Sequence, residues 1–208
     1  MKINILHITP HFGTGVGTVV RSYAKYVNSN DTKYHYYISI ENINSETKKF
    51  FKKNKIGFKE NIFKKKKTLL KLVKHSDVII VHWWNHPLLM YILANWEFPK
   101  NRLVIWSHIT GKYAPNCITK DIIKFPDKFV FTTPISKKIS TYKKLSYKLK
   151  KNCDVIWSTG GYDRVKIYKK ERSEFFKVGY IGNLDYTKLH TNFVKICEKA
   201  SKKNTRFI

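Results

Sequence analysis

The chain has 208 residues, 42% hydrophobic and 15% aromatic, which is enough to bury a core and excludes a disordered chain. Its 41 Lys plus Arg against 14 Asp plus Glu give a formal charge of +27. Such a field favours polyanions, whether nucleic acid, an anionic lipid surface or a phosphorylated ligand, without choosing between them. Abundant Lys, Asn and Ile also fit a compositional bias of the coding DNA. Cys117, Cys153 and Cys197 are far apart and have no C-x-x-C spacing, which argues against a disulfide scaffold and a zinc ribbon. Buried thiols in a reducing cytoplasm are expected instead. No leader with a long apolar region and no run of membrane-spanning length is visible, so any membrane contact is expected to be peripheral, on the inner face.

Taken in order, Ile3-Asn4-Ile5-Leu6-His7-Ile8 is short, apolar and β-branched, which predicts a buried strand. Thr9-Pro10-His11-Phe12-Gly13-Thr14-Gly15-Val16-Gly17 follows, and its proline and three glycines predict a loop. Val19, Val20, Tyr23, Ala24, Tyr26 and Val27 then recur at helical spacing. Strand, glycine loop and helix form the opening unit of a nucleotide-binding α/β fold. Glycines let the backbone approach a ligand, and free N–H groups at the helix start favour an anion. Gly13-x-Gly15-x-Gly17 is neither the dinucleotide fingerprint nor a Gly-Lys-Ser/Thr phosphate loop, so a tight strand-to-helix connection explains it equally well by itself.

Residues 28–31 predict a turn and 34–40 a second strand. Residues 42–74 are polar, with Lys64-Lys65-Lys66-Lys67 leading into an amphipathic helix over 68–74. A solvated helix start accounts for the lysine run, and a patch for anionic lipid is the alternative. Residues 77–82 form the clearest buried strand, and Trp83-Trp84-Asn85-His86-Pro87 breaks it before an apolar helix over 88–96. Strands are predicted over 102–107, 128–132 and 152–157, with a short helix over 118–123 and a basic helix over 135–149. Alternating strands and helices predict a parallel sheet covered on both faces. Residues 164–177 are charged and aperiodic, as expected of an interdomain connection. A new strand and glycine turn start at residue 176, and Phe193, Val194, Ile196, Cys197 and Ala200 mark the apolar side of a further helix. The second domain is expected to be cut short at Ile208.

In an open α/β sheet ligands sit beyond the carboxyl ends of the strands. Four strand ends carry distinctive residues: the Gly13–Gly17 loop, His82-Trp83-Trp84-Asn85, Ser107-His108, and Ser158-Thr159-Gly160-Gly161. His82 and His108 each end an apolar strand, where an imidazole can meet a sugar hydroxyl or a developing charge. A hydrogen-bonded structural histidine is the competing account of each. Trp83 and Trp84 can stack on a sugar or base, or pack in the core. No carboxylate pair and no Ser-His-Asp arrangement stands out.

Gly15-Val16-Gly17-Thr18-Val19-Val20, residues 77–82, Val104-Ile105-Trp106-Ser107-His108 and Val178-Gly179-Tyr180-Ile181-Gly182-Asn183-Leu184-x-x-x-Lys188 occur in this order. Together they resemble the group 1 (family 4) nucleotide-sugar glycosyltransferases of the GT-B type, in particular bacterial surface-polysaccharide members. The resemblance implies two Rossmann-like domains, an acceptor side at 1–172 and the first unit of a donor side at 173–208. It implies glycosyl transfer, with retention, from a nucleotide sugar to a cell-envelope polysaccharide or lipid-linked glycan, with no cofactor and no metal. By position, Gly15 and Gly17 match the loop that approaches the sugar diphosphate, His108 matches the active-site histidine, and Lys188 matches the lysine that neutralises the leaving diphosphate. His82, Trp83, Trp84, Asn85, Ser158 and Gly160 are the candidate sugar or acceptor contacts. Gly182-Asn183-Leu184 stands where many members have Gly-Arg-Leu, Leu189 replaces a common glycine, and the family's later Glu-x7-Glu is absent. The chain by itself is therefore expected to be inactive, needing the rest of a donor domain. A basic nucleic-acid-binding protein and a non-catalytic binding half are the other two accounts; dispersed basic residues and the lack of an RNA or DNA module argue against nucleic acid.

Overall fold

The structure, a computed structural model, describes residues 3–30, 32–98, 102–158, 160, 166, 174–180, 190–201 and 205–207. The chain divides into two compact units, Met1–Val165 and Lys166–Ile208. The expected boundary between residues 172 and 173 lies outside the described residues.

The first unit is built on seven parallel strands: β1 (Asn4–Thr9), β2 (Tyr34–Ser39), β3 (Gly57–Lys59), β4 (Val78–Trp83), β5 (Leu103–Ser107), β6 (Lys128–Phe131) and β7 (Cys153–Val155). Their order across the sheet is β3-β2-β1-β4-β5-β6-β7, and every pairing is parallel. The order reverses between β1 and β4, which opens a crevice at their carboxyl ends. Side chains alternate along each strand. Leu6 and Ile8, Ile79, Val81 and Trp83, Leu103 and Ile105, and Phe129 and Phe131 face one core. That core is closed by Leu69 and Val73 of α3 (Lys66–Lys74), Leu89, Ile92 and Leu93 of α4 (Pro87–Asn95), and Ile122 and Ile123 of α5 (Lys120–Lys124). The opposite face carries a smaller core, in which Tyr37 of β2 meets Val20 and Ala24 of α1 (Thr14–Asn30) and Phe51 of α2 (Ser45–Lys53). This is a Rossmann-like α/β fold, a parallel sheet with helices on both faces. Each fully buried Leu, Ile or Phe contributes roughly 1.5–3 kcal/mol to holding it.

Several local expectations are corrected. The glycine stretch is not all loop: α1 starts at Thr14, so Gly15 and Gly17 are helical. Gly17 N–H donates to Gly13 O at 3.0 Å, and a Cβ on Gly17 would lie only 2.0 Å from the Phe12 carbonyl oxygen. The missing side chain lets the helix begin directly against the chain that enters it. The turn expected at 28–31 is helical through Asn30.

The polar 42–74 region hides α2 and β3. Helix α2 is specified at its ends: the Asn44 side chain accepts the Thr47 N–H at 2.8 Å, Glu46 lies in the first turn, and Lys52 and Lys53 lie in the last. The basic helix expected over 135–149 is instead a 3-10 turn (Pro134–Lys138) followed by α6 (Ser140–Lys143) and α7 (Tyr147–Lys151). Ile139 is extended and buried between the first two, and Ser146 caps the last by accepting the Leu149 N–H. Of the thiols expected to be buried, only Cys153 is; Cys117 is exposed and Cys197 is half-buried.

In the second unit β8 (Phe176–Val178) pairs in parallel with β9 (Thr205–Phe207), and α8 (Phe193–Ala200) lies between them in sequence. Val194 and Ile196 on the expected apolar side of α8 are 66% and 52% exposed. Among the described residues no helix is long and apolar enough to cross a membrane.

Candidate functional site

The carboxyl edge of the seven-stranded sheet gathers the segments that follow β1, β4, β5 and β7. On the face of the sheet that α1 covers, three strands each contribute one histidine and the residue just beyond β5 adds a fourth, and these form a continuous row. His35 Nδ1 lies 2.9 Å from His7 Nε2, His7 Nδ1 lies 3.1 Å from His82 Nε2, and His82 Nδ1 lies 2.9 Å from His108 Nε2. His108 Nδ1 lies 2.9 Å from Ser158 Oγ. The row runs diagonally over β2, β1 and β4 to the residues just beyond β5 and β7.

Backbone bonds hold the outer end in place. The His108 N–H donates to the Trp83 carbonyl at 2.8 Å, and the Ile156 and Ser158 N–H groups donate to the Phe131 and Thr132 carbonyls at 2.9 and 3.4 Å. Tyr37 stacks on His7 with ring centroids 4.3 Å apart, and Trp106 packs on both His82 and His108.

Burial sets the charge of the row. His7 and His82 are fully buried, which holds both well below the ordinary histidine range, and the neighbouring imidazoles push in the same direction. Burial also lowers His108, to about 4. These three rings are therefore neutral at pH 7, and a neutral imidazole has one donor and one acceptor nitrogen. Burial with α1 overhead also drives the Tyr37 hydroxyl far above its usual range, with Tyr23 adding to the effect.

Beside the row lies a cavity of ≈ 330 Å³ between α1 and the sheet, lined by Val19, Tyr23, Tyr26, Val104, Trp106 and Trp157 among others. Gly160 brings the segment after Ser158 onto α1: a Cβ there would lie 3.0 Å from Val19 Cα and 3.1 Å from Ser22 Oγ.

The sequence-predicted residues separate clearly. His82, His108, Ser158 and Gly160 belong to this one region. His82, however, is buried behind His108 and reaches ligands only through it. Trp83 is 1% exposed and faces the opposite core, so it cannot stack on a sugar. Trp84 is half-buried at the edge, its ring set edge-on to His11 with centroids 5.1 Å apart. Asn85 is exposed, and its Nδ2 donates to the Pro115 carbonyl at 2.7 Å. A Cβ on Gly15 would meet nothing within 4 Å, so this position is open to a ligand, whereas Gly17 is taken up by Phe12. Lys188, with Thr159, Gly161 and residues 181–189, lies outside the described residues.

His7 and His35 do not stand out in the sequence, although each stands in a β-branched or aromatic strand on the same side as its neighbour in the row. Nor do His11, Glu41 and His86, which each bring one ligand atom within 4.8 Å of the others at the ends of β1, β2 and β4. His86 Nε2 is 3.5 Å from Glu41 Oε1, and His11 Nδ1 accepts the Gly13 N–H at 3.2 Å. Three such groups can hold a divalent cation, provided His11 offers its other nitrogen.

The fold class is thus that of the Rossmann-like α/β proteins. A scan against models of known protein families gives no match, and a search of curated proteins gives none either.

Proposed function

We propose that this chain is the acceptor-side part of a GT-B glycosyltransferase that moves a sugar from a nucleotide-sugar donor to a cell-envelope polysaccharide or lipid-linked glycan. The observation that carries this reading is the neutral imidazole of His108 at the carboxyl end of β5, tied to Ser158 at 2.9 Å. The start of α1, at the same carboxyl edge of the sheet, suits an anionic donor: the first-turn N–H groups and the open Gly15 favour a diphosphate. Protein groups, Lys188 among them, offset the charge of the leaving diphosphate. No step needs a resident cofactor. An apolar cavity walled by Tyr23, Tyr26, Trp106 and Trp157 suits the flat faces of a sugar or the lipid end of an acceptor. The exposed run Lys64–Lys67 suits an anionic membrane surface, where a lipid-linked acceptor resides.

The test is an assay of sugar transfer and donor hydrolysis over a panel of nucleotide sugars, with the chain joined to a complete GT-B donor domain. His108→Ala should lower turnover on the order of a hundredfold while leaving the fold intact. Normal turnover in the folded variant, or no turnover by the unaltered protein with any donor, overturns the reading.

A further inference from the structure

The four histidines are more than a satisfied polar core. Each contact in the row joins the Nδ1 of one ring to the Nε2 of the next, without exception from His35 to His108, and the last Nδ1 faces Ser158. One proton is shared at each contact. In neutral rings, choosing the tautomer of any one therefore fixes all the others. Only two arrangements satisfy every bond: all four rings protonated at Nδ1, or all four at Nε2. The two differ by a shift of one proton along every bond, which is the requirement for a proton relay.

We propose that Ser158, His108, His82, His7 and His35 form a relay that takes the proton of an attacking hydroxyl at the site edge and delivers it at His35. The identity of that hydroxyl, a glycan acceptor, rests on the proposed function; the relay itself does not. The step starts with all four rings protonated at Nε2 and Ser158 O–H donating to His108 Nδ1. The hydroxyl gives its proton to Ser158 Oγ as the Ser158 proton passes to His108 Nδ1. His108 passes its Nε2 proton to His82 Nδ1, His82 passes its own to His7 Nδ1, and His7 passes its own to His35 Nδ1. His35 gives up its Nε2 proton at the β2 end of the row. One proton enters, one leaves, no ring carries a net charge at the end, and the four rings finish protonated at Nδ1. Running the same shifts in reverse resets the row by taking one proton in at His35 and returning one through Ser158 to the site edge.

The surroundings fit this use. His7 and His82, in the middle, are both 0% exposed, whereas His35 is 8% exposed at the start of β2 beside the exposed Tyr34. The row is therefore sealed along its length and comes nearest to solvent at its ends. Among the described residues, two phenols pack against it: Tyr23 of α1, with its ring centroid 5.6 Å from His7 and 6.2 Å from His35, and Tyr37 of β2, stacked on His7. Burial drives the Tyr37 hydroxyl far above its usual range, so it stands beside the row as a neutral phenol. His82, His7 and His35 act through His108 and Ser158, and are positioning residues for them.

Nitrogen-15 NMR of the histidine rings in the unaltered 208-residue chain at pH 7 tests the relay without any assay of activity. The expected spectrum has four neutral rings, all protonated at the same nitrogen or exchanging together between the two uniform states. A charged ring, or a mixture of tautomers along the row, overturns the relay. In the protein active in the donor assay, His7→Gln keeps a donor and an acceptor in the row but cannot exchange one nitrogen's proton for the other's. Turnover should fall about tenfold or more with the donor KM unchanged, and its dependence on pH should steepen. His7→Gln with unchanged turnover and pH profile overturns the relay while leaving the glycosyltransferase reading in place. Uniform neutral tautomers in a protein that turns over no sugar nucleotide overturn that reading and leave the relay standing.

Discussion

His82 Nδ1 and His108 Nε2 lie 2.9 Å apart, so a fully buried imidazole backs directly onto one at the edge of the sheet. The burial of these rings determines how the protein responds to acid. His7, His82 and His108 are all lowered from the ordinary histidine range, His108 to about 4. Unfolded histidines titrate near 6.5.

Between about pH 4 and 6.5 the unfolded chain therefore binds more protons at these positions than the folded one. The stability they contribute is fully present above about pH 6.5 and is lost as the pH falls towards the folded values. Each ring contributes about 1.4 kcal/mol per pH unit within that window, so three give a slope on the order of 4 kcal/mol per unit. Urea unfolding at pH 7.5, 6.5, 5.5 and 5.0 should show a steep fall in the midpoint below 6.5. A flat midpoint over that range would mean that these rings take up protons as readily in the folded protein as in the unfolded chain.

The two glycines at the start of α1 should respond oppositely to alanine. Gly15 has open space where a Cβ would go, and alanine there removes backbone freedom from the unfolded chain, so Gly15→Ala should stabilise by about 0.4–1 kcal/mol. At Gly17 the Cβ would overlap the Phe12 carbonyl, and Gly17→Ala should cost about 1–3 kcal/mol or more. Denaturant midpoints of the two variants provide the comparison, and equal effects of the same sign would contradict the helix start described above.

The alternation of apolar strands and helices made the sheet legible, because five of its strands are buried runs that no loop could imitate. What the sequence concealed was set by local contacts. Helix α2 buries little beyond Thr47 and Phe51, so its pattern is faint, and its ends are written in the Asn44 cap and terminal charges. The histidine row was half legible. His82 and His108 stand out because they end strands, whereas His7 and His35 lie inside them, and only the strand order β2-β1-β4-β5 brings all four side by side. Trp83 and Trp84 read identically in sequence, yet strand alternation sends one into the core and leaves the other at the edge.

That division between the tryptophans gives a further expectation. Trp83 packs against Phe129 in the main core, with ring centroids 6.4 Å apart, and its indole N–H points to Met90 Sδ at 3.3 Å. Trp83→Ala should cost about 3–5 kcal/mol. Trp84→Ala, at a half-buried edge position, should cost less than half as much while changing ligand affinity if the edge binds one. Thermal unfolding of both variants decides it; equal losses of stability would place both rings in the core.

The lysine run joins stability to surface binding in one variant. Lys65 is the N-cap of α3 and makes no side-chain cap bond, the first turn has no acidic residue, and Lys66 and Lys67 put further positive charge at the helix end that disfavours it. Lys65→Ser supplies an oxygen for a free N–H of that turn and removes one cation. It should stabilise the protein by about 1 kcal/mol. Glu60 keeps its partner in the variant, since Lys48 Nζ lies 2.6 Å from it. If Lys64–Lys67 docks on an anionic membrane, the same change should weaken binding to vesicles containing phosphatidylserine by about fivefold, in keeping with about 1 kcal/mol per basic residue near such a surface. The loss should shrink as salt is raised, because screening removes the interaction for both proteins. Circular dichroism melts and vesicle co-sedimentation at two salt concentrations measure the two effects on one sample. A more stable variant that binds vesicles as tightly as the unaltered protein would leave the lysine run as a solvated helix start and assign the membrane contact, if any, to another surface.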